Sequence, residues 1–206
     1  MTSQSRTGSP SAVGDVALMG IFGEPKLSER AKLESLAGVL TRAGTLDRDA
    51  AKAEVSAAAR ADAGAPNSDE LAEQLVSDAR DELYLEQQTW PETTDYDHLQ
   101  VAFAALEAQN IAVLQSVEDH WRANALLTQA TEAGSPYRGV VWFTAPDVWH
   151  AIEHGMLEIN VWHGDTANIV AGDALLDAVI EALAAQGIDA HFDEGRVEVT
   201  SFWRRR

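Results

Sequence analysis

Near residue 97 the apolar periodicity of this chain changes, and that change does most to limit its fold. Before it, apolar residues recur at helical spacing only. Leu33, Leu36, Val39 and Leu40 share one face, Ser28 is placed to cap it, and Gly44 closes the segment. Residues 47–62 are rich in alanine and weakly amphipathic, so they hold a helix only if something packs on them. Gly64, Pro66 and Asn67 break the chain. Asn67 followed by Glu70 is a capping pattern, and Leu71, Leu75, Ala79 and Leu83 make the next stripe. After residue 97, helical and strand patterns alternate. Strands are expected at 111–116, 138–144, 156–163, 188–193 and 196–203, and helices at 96–109, 119–133, 146–154 and 173–186.

The pattern predicts an α+β fold, with a mixed sheet of about five strands and packed helices in the C-terminal part, preceded by an all-helical N-terminal region. Three stretches are expected: a disordered tail over 1–26, rich in Ser, Thr and Gly; a helical region over 27–89; and an α+β domain over 90–206. Within the sheet, Gly139-Val140-Val141-Trp142-Phe143 is continuously apolar, as in a central strand covered on both faces. By contrast, 157–162 alternates, with Leu157, Ile159 and Val161 opposed to Glu158, Asn160 and Trp162. A terminal hairpin turning at Glu194-Gly195 sets Phe192 against Val197, Ala190 against Val199 and His191 against Glu198, because a one-residue slip would bury charge.

There is also an internal echo at an offset of 77 residues. The run Leu99, Phe103, Leu106, Asn110, Ile111 matches Leu176, Ile180, Leu183, Gly187, Ile188. Either a helix–strand unit is duplicated, or two amphipathic helices enter strands in the same way.

Residues 90–206 resemble an uncharacterised actinobacterial domain-of-unknown-function family. The likeness rests on Trp90-Pro91-Glu92-Thr93-Thr94-Asp95, on Asn110-Ile111-Ala112-Val113, on Gly139 to Phe143 with Asp147, and on Trp203-Arg204-Arg205, in that order. The chain departs from that pattern at Asn110, where the family usually has glycine, and at Phe192, where tryptophan is commoner. The resemblance implies a domain starting near residue 90 and assigns no activity.

The chain has no cysteine, which removes disulfides, thiolate metal sites and cysteine nucleophiles and fits a reducing, cytoplasmic setting. Its net charge is −18, which repels nucleic-acid phosphates and anionic membranes, so no nucleic acid and no membrane are expected as partners. The apolar stretch Val13 to Phe22 contains Asp15 and is too short for an anchor. Over residues 66–119 thirteen acids face one base, Arg80. Such a run is a solvated face or a dock for a basic protein partner, and Arg204-Arg205-Arg206 could dock on it from within the chain.

Two candidate sites stand out. His150, Glu153 and His154 form H-x-x-E-H, the inverted zinc-protease signature, with His163 as a further nitrogen ligand. Set against this, the helix is short and the later helix offers only Asp173, Asp177 and Glu181 as a third ligand. The second candidate is the polar sheet face, where Trp162 and Phe202 lie among Glu158, His191 and Glu198. Large aromatics among charges mark a binding surface unless the N-terminal helices cover them. There is no G-x-S-x-G and no phosphate-binding loop. The sequence therefore favours a noncatalytic protein-interaction module, regulatory in its finer form, with no cofactor. The alternative is a metal-dependent or small-molecule enzyme built on His150, Glu153 and His154.

Overall fold

The computed structural model describes residues 27–63 and 67–206, so the expected tail over 1–26 lies outside the described residues. Helices α1 (Glu29–Ala43), α2 (Arg48–Ala63) and α3 (Ser68–Gln87) pack together around Leu33, Ala37, Val55, Ala59, Leu75 and Val76. Ser28 caps α1 by accepting from the Ala31 amide, and Gly44 closes it in the left-handed region at φ 62°. The alanines of α2 let its neighbours approach closely. Lys52 pairs with Glu73 at 2.8 Å and Arg60 with Asp69 at 2.6 Å, tying α2 to α3. Asn67 precedes α3 as expected, but its side chain makes no capping bond.

The remaining elements are α4 (Asp95–Glu107), β1 (Ile111–Val117), α5 (His120–Glu132), β2 (Gly139–Thr144), α6 (Ala145–His154), β3 (Met156–His163), α7 (Ala174–Ala184), β4 (Ala190–Asp193) and β5 (Arg196–Thr200). They form one mixed sheet in the order β1-β2-β3-β5-β4, parallel only between β1 and β2. The hairpin pairs Phe192 with Val197, His191 with Glu198 and Ala190 with Val199, as the alternation requires. Its two-residue turn has positive φ at both Glu194 and Gly195.

The two faces of the sheet are covered unequally. Helices α4, α6 and α7 lie on one, over a core of Phe143, Leu157, Ile159, Val161, Val197 and Val199. Among the described residues only α5 lies on the other, where Ala123 and Leu127 meet Ala112, Val140 and Trp142 of β1 and β2. Both echoed units are helices ending at a left-handed residue, Asn110 at φ 61° and Gly187 at φ 73°. Their strands, β1 and β4, are the two edges of the sheet. The second strand starts later than expected because the Ile188 amide still bonds Leu183 O in the helix exit.

The chain's last residues join the helical layer to the sheet. Ser201 keeps the β3–β5 register by donating to Gly155 O, but Trp203 turns to α6 and donates to Ala151 O, so the strand ends before residue 203. Trp203 is 4% exposed; its indole donates to Ala43 O at 3.1 Å and packs edge-on to Tyr96 and Phe143. The Thr94 hydroxyl donates to Arg204 O at 2.9 Å, and the Phe202 amide donates to Asp95 Oδ2 at 3.0 Å. The Trp90–Asp95 segment and the Trp203-Arg204-Arg205 ending are thus two halves of one junction. Arg206 does meet the acidic stretch, but through the backbone carbonyls of Trp90, Pro91 and Glu92 instead of carboxylates. Among the described residues no helix is long and apolar enough to cross a membrane.

Candidate functional site

Among the described residues α5 lies mainly over β1 and β2, with its first turn reaching Trp162 of β3, and the same face over the rest of β3, β5 and β4 is open. Strand register fixes what it displays, since directly paired residues project to the same side. One row runs Leu114, Trp142, Asn160, Arg196, Asp193, and the next runs Glu158, Glu198, His191. Four of the five residues expected to bind, Trp162, Glu158, Glu198 and His191, share this face. The N-terminal helices do not cover it; they pack on the α6 side of the molecule, where Trp149 joins their core.

Phe202 is elsewhere. Its ring lies against Gly155, at the opening end of β3, whereas Trp162 is seven residues further along, about 23 Å at the usual rise per residue. Phe202 instead lines a cavity with Trp90, Trp203 and Arg204, under the Arg204 guanidinium at 4.8 Å.

The open face is bounded by an aromatic ridge. Trp162 packs edge-on to Trp142 at 5.0 Å, His120 stands 6.3 Å from Trp162, and Trp121 lies 4.5 Å beyond His120. Trp121 is 64% exposed. The Trp142 indole N–H is buried without a hydrogen-bond partner, on the row it shares with Asn160. Sequence reading missed this ridge because Trp142 sits in a continuous apolar run, and because nothing local shows that the first turn of α5 points at β3. The signal that existed was Asp119, which caps α5 by accepting from the Trp121 amide and so fixes where that tryptophan emerges.

The charges on this face are arranged awkwardly. Glu158 and Glu198 stand directly opposite each other, a like-charge cross-strand pair. Arg196 answers Glu158 by an ion pair, while Glu198 has His191 at 3.4 Å, which carries charge only when protonated.

The histidines of the metal reading do not converge. His150 and His154 stack one turn apart at 5.5 Å on an exposed stretch of α6, with Glu153 at 3.7 Å from His154. His163 is at the far end of β3, hydrogen-bonded to Asp173 at 3.0 Å. Among the described residues no three His, Asp or Glu side chains are grouped to hold a metal ion. Asp173 also accepts from the Val170 amide at 2.7 Å, and that bond, with His163, holds its carboxyl below the usual range. Asp69, Glu73 and Asp97 are held low in the same manner, by hydrogen bonds and neighbouring cations. Carboxylates stabilised as anions are poor general acids.

The chain belongs to the family described as a domain of unknown function (DUF6891), whose model matches residues 26–206. That span takes in α1 to α3 together with the sheet. Neither a curated protein nor a solved structure matches the chain.

Proposed function

We propose that this chain is a noncatalytic, cytoplasmic protein-binding module whose contact surface is the open half of its sheet. The observation that carries the reading is the Glu158–Glu198 pair, set on the same sheet face as the half-buried Trp162, whose border is the exposed Trp121. A sheet that only faces water has no need for two carboxylates directly opposite each other, since that arrangement destabilises it. A partner bringing Lys or Arg to this face would relieve the repulsion, and Trp121 with Trp162 would supply the apolar contact that anchors it. The acidity of the whole chain would draw such a partner in at long range. Regulation is the finer form of this reading, in which occupancy of the face is what changes.

The test is capture from the native host with wild-type protein and with Trp121→Ala and Glu198→Lys variants. A stoichiometric protein retained by the wild type and lost from both variants, with unfolding midpoints unchanged, is the expected result. Retention by both variants sinks the reading. The metal-dependent alternative is settled separately by metal analysis of untagged protein, where one equivalent of zinc or nickel per chain would revive it.

A further inference from the structure

The chain holds 15 basic residues against 33 acidic ones, and the basic residues are not spread evenly. Arg42, Arg80, Arg205 and Arg206 line a single cavity of about 370 Å³ beside the C-terminal ends of α1 and α3. Arg80 is the one base of the acidic 66–119 stretch, and it points into this cluster. Four guanidiniums in one cavity repel each other, and the surrounding acidic helices do not cancel that charge one for one. Arg42 pairs with Glu86 and, at 3.7 Å, with Glu82. The other three form no ion pair among the described residues.

Helix capping explains part of the arrangement. Arg205 donates to Gly44 O at 2.6 Å, past the end of α1, and Arg206 donates to the carbonyls of residues 90–92. These bonds fix two guanidiniums in place and leave four of the five N–H donors of Arg205 and two of those of Arg206 unused. Arg205 is further steadied over the Tyr96 ring and Arg206 over Trp90. Capping does not account for Arg80, which makes no hydrogen bond or ion pair among the described residues. Nor does it account for Thr41, a residue of the same cavity wall whose hydroxyl is buried without a partner. A threonine inside a helix ordinarily bonds the carbonyl four residues back, and this one does not. Fixed arginines and an unpaired arginine converging on one cavity are what a polyvalent anion would satisfy.

We propose that this cavity binds the phosphate group of a small organic phosphate. A carboxylate is planar and one guanidinium can satisfy it, whereas a phosphate offers oxygens to several guanidiniums arriving from different directions. The Tyr84 ring, 63% exposed at the cavity wall, gives the organic body a surface to lie on. A nucleic-acid strand is a poor fit, because the net charge of −18 on the whole chain repels a continuous phosphate backbone. The cavity's size is that of a small-molecule site. This site is separate from the open sheet face, and neither proposal depends on the other.

The test is calorimetry on the full chain with inorganic pyrophosphate, at an ionic strength fixed by sodium chloride. Saturable binding of one equivalent is expected. Arg80→Gln should weaken it about tenfold or more while leaving the unfolding midpoint in place, since Arg80 is exposed and unpartnered. Thr41→Val should weaken it less. Failure of the wild type to saturate by millimolar pyrophosphate overturns the proposal, as does binding that Arg80→Gln leaves unchanged. Tighter binding of succinate than of pyrophosphate overturns the choice of phosphate. ADP and glucose 6-phosphate then test the organic body: tighter binding of ADP assigns a nucleoside diphosphate, tighter binding of glucose 6-phosphate assigns a sugar phosphate. If neither exceeds pyrophosphate, the organic half of the proposal fails.

Discussion

Strand β3 passes through two environments at once. On one side Leu157, Ile159 and Val161 are fully buried under three helices; on the other, Glu158, Asn160 and Trp162 remain half exposed. The neighbouring strand β2 carries no such contrast, since five of its six residues are buried on both faces. The difference comes from the helices. Among the described residues three cover one face, and α5 alone covers the other, over β1 and β2 with its first turn at Trp162 of β3. What remains open is therefore a defined half-sheet, with an aromatic border where coverage ends.

The contrast predicts graded costs of truncation. Trp203 belongs to the closed side, where it joins Ala43, Tyr96 and Phe143. Trp203→Ala should cost about 3–5 kcal/mol in urea unfolding and loosen α1 from the sheet. A loss under ~1 kcal/mol would mean the helical layer and the sheet are held together by something else. Trp162 sits at the border, half buried against Trp142. Trp162→Ala should cost an intermediate ~1–3 kcal/mol. A loss as large as that of Trp203 would place Trp162 in the core and shrink the open face to its charged rows.

A third test stays on the closed side but concerns polar groups. Thr94 caps α4 in a reciprocal box with Asp97 and also holds Arg204 O. Thr94→Ala should cost ~1–2 kcal/mol at neutral pH. The Asp97 carboxyl is held below its ordinary range first by the Thr94 amide, so its folded pKa lies below the unfolded one. Its contribution is complete above roughly pH 4 and is lost as the pH falls through the folded value. The Thr94 hydroxyl also donates to that carboxylate, so part of the penalty of Thr94→Ala should be lost in acid. A penalty that is constant down to pH 2 would show that the hydroxyl acts through Arg204 O and the Asp97 amide and not through the carboxylate.

Much of this was legible from periodicity. The change of pattern near residue 97, the continuous run of β2, the alternation of β3 and the register of the β4–β5 hairpin all follow from side-chain period and turn chemistry, which are local. What covers a polar face is not local. Alternation in β3 shows that Glu158, Asn160 and Trp162 share a side, and is silent on whether a helix lies above them. Phe202 has the right parity to join them, yet the antiparallel register that sets Thr200 against Met156 puts it beyond the start of β3, at the far end from Trp162. The arginine cavity was illegible for the same reason: Arg42, Arg80 and Arg205 are brought together by packing across 163 residues of chain, with no spacing to read.

The smallest effect distinguishes most sharply between a binding face and a solvated one. Glu198 stands opposite Glu158, and Arg196 is already committed to Glu158. Glu198→Gln removes one of two facing carboxylates while keeping the shape and hydrogen-bonding capacity of the side chain. At neutral pH it should raise stability by a few tenths of a kcal/mol, within the range for like-charge cross-strand pairs. Most surface substitutions cost a little or nothing, so a gain at a chosen position is informative. It would mean that the chain tolerates a locally unfavourable charge on the half-sheet that the described helices leave open, as expected if a cationic partner normally answers it. A loss would mean that Arg196 and His191 already balance both carboxylates, that the face is content in water, and that Trp121 alone remains to argue for a partner there.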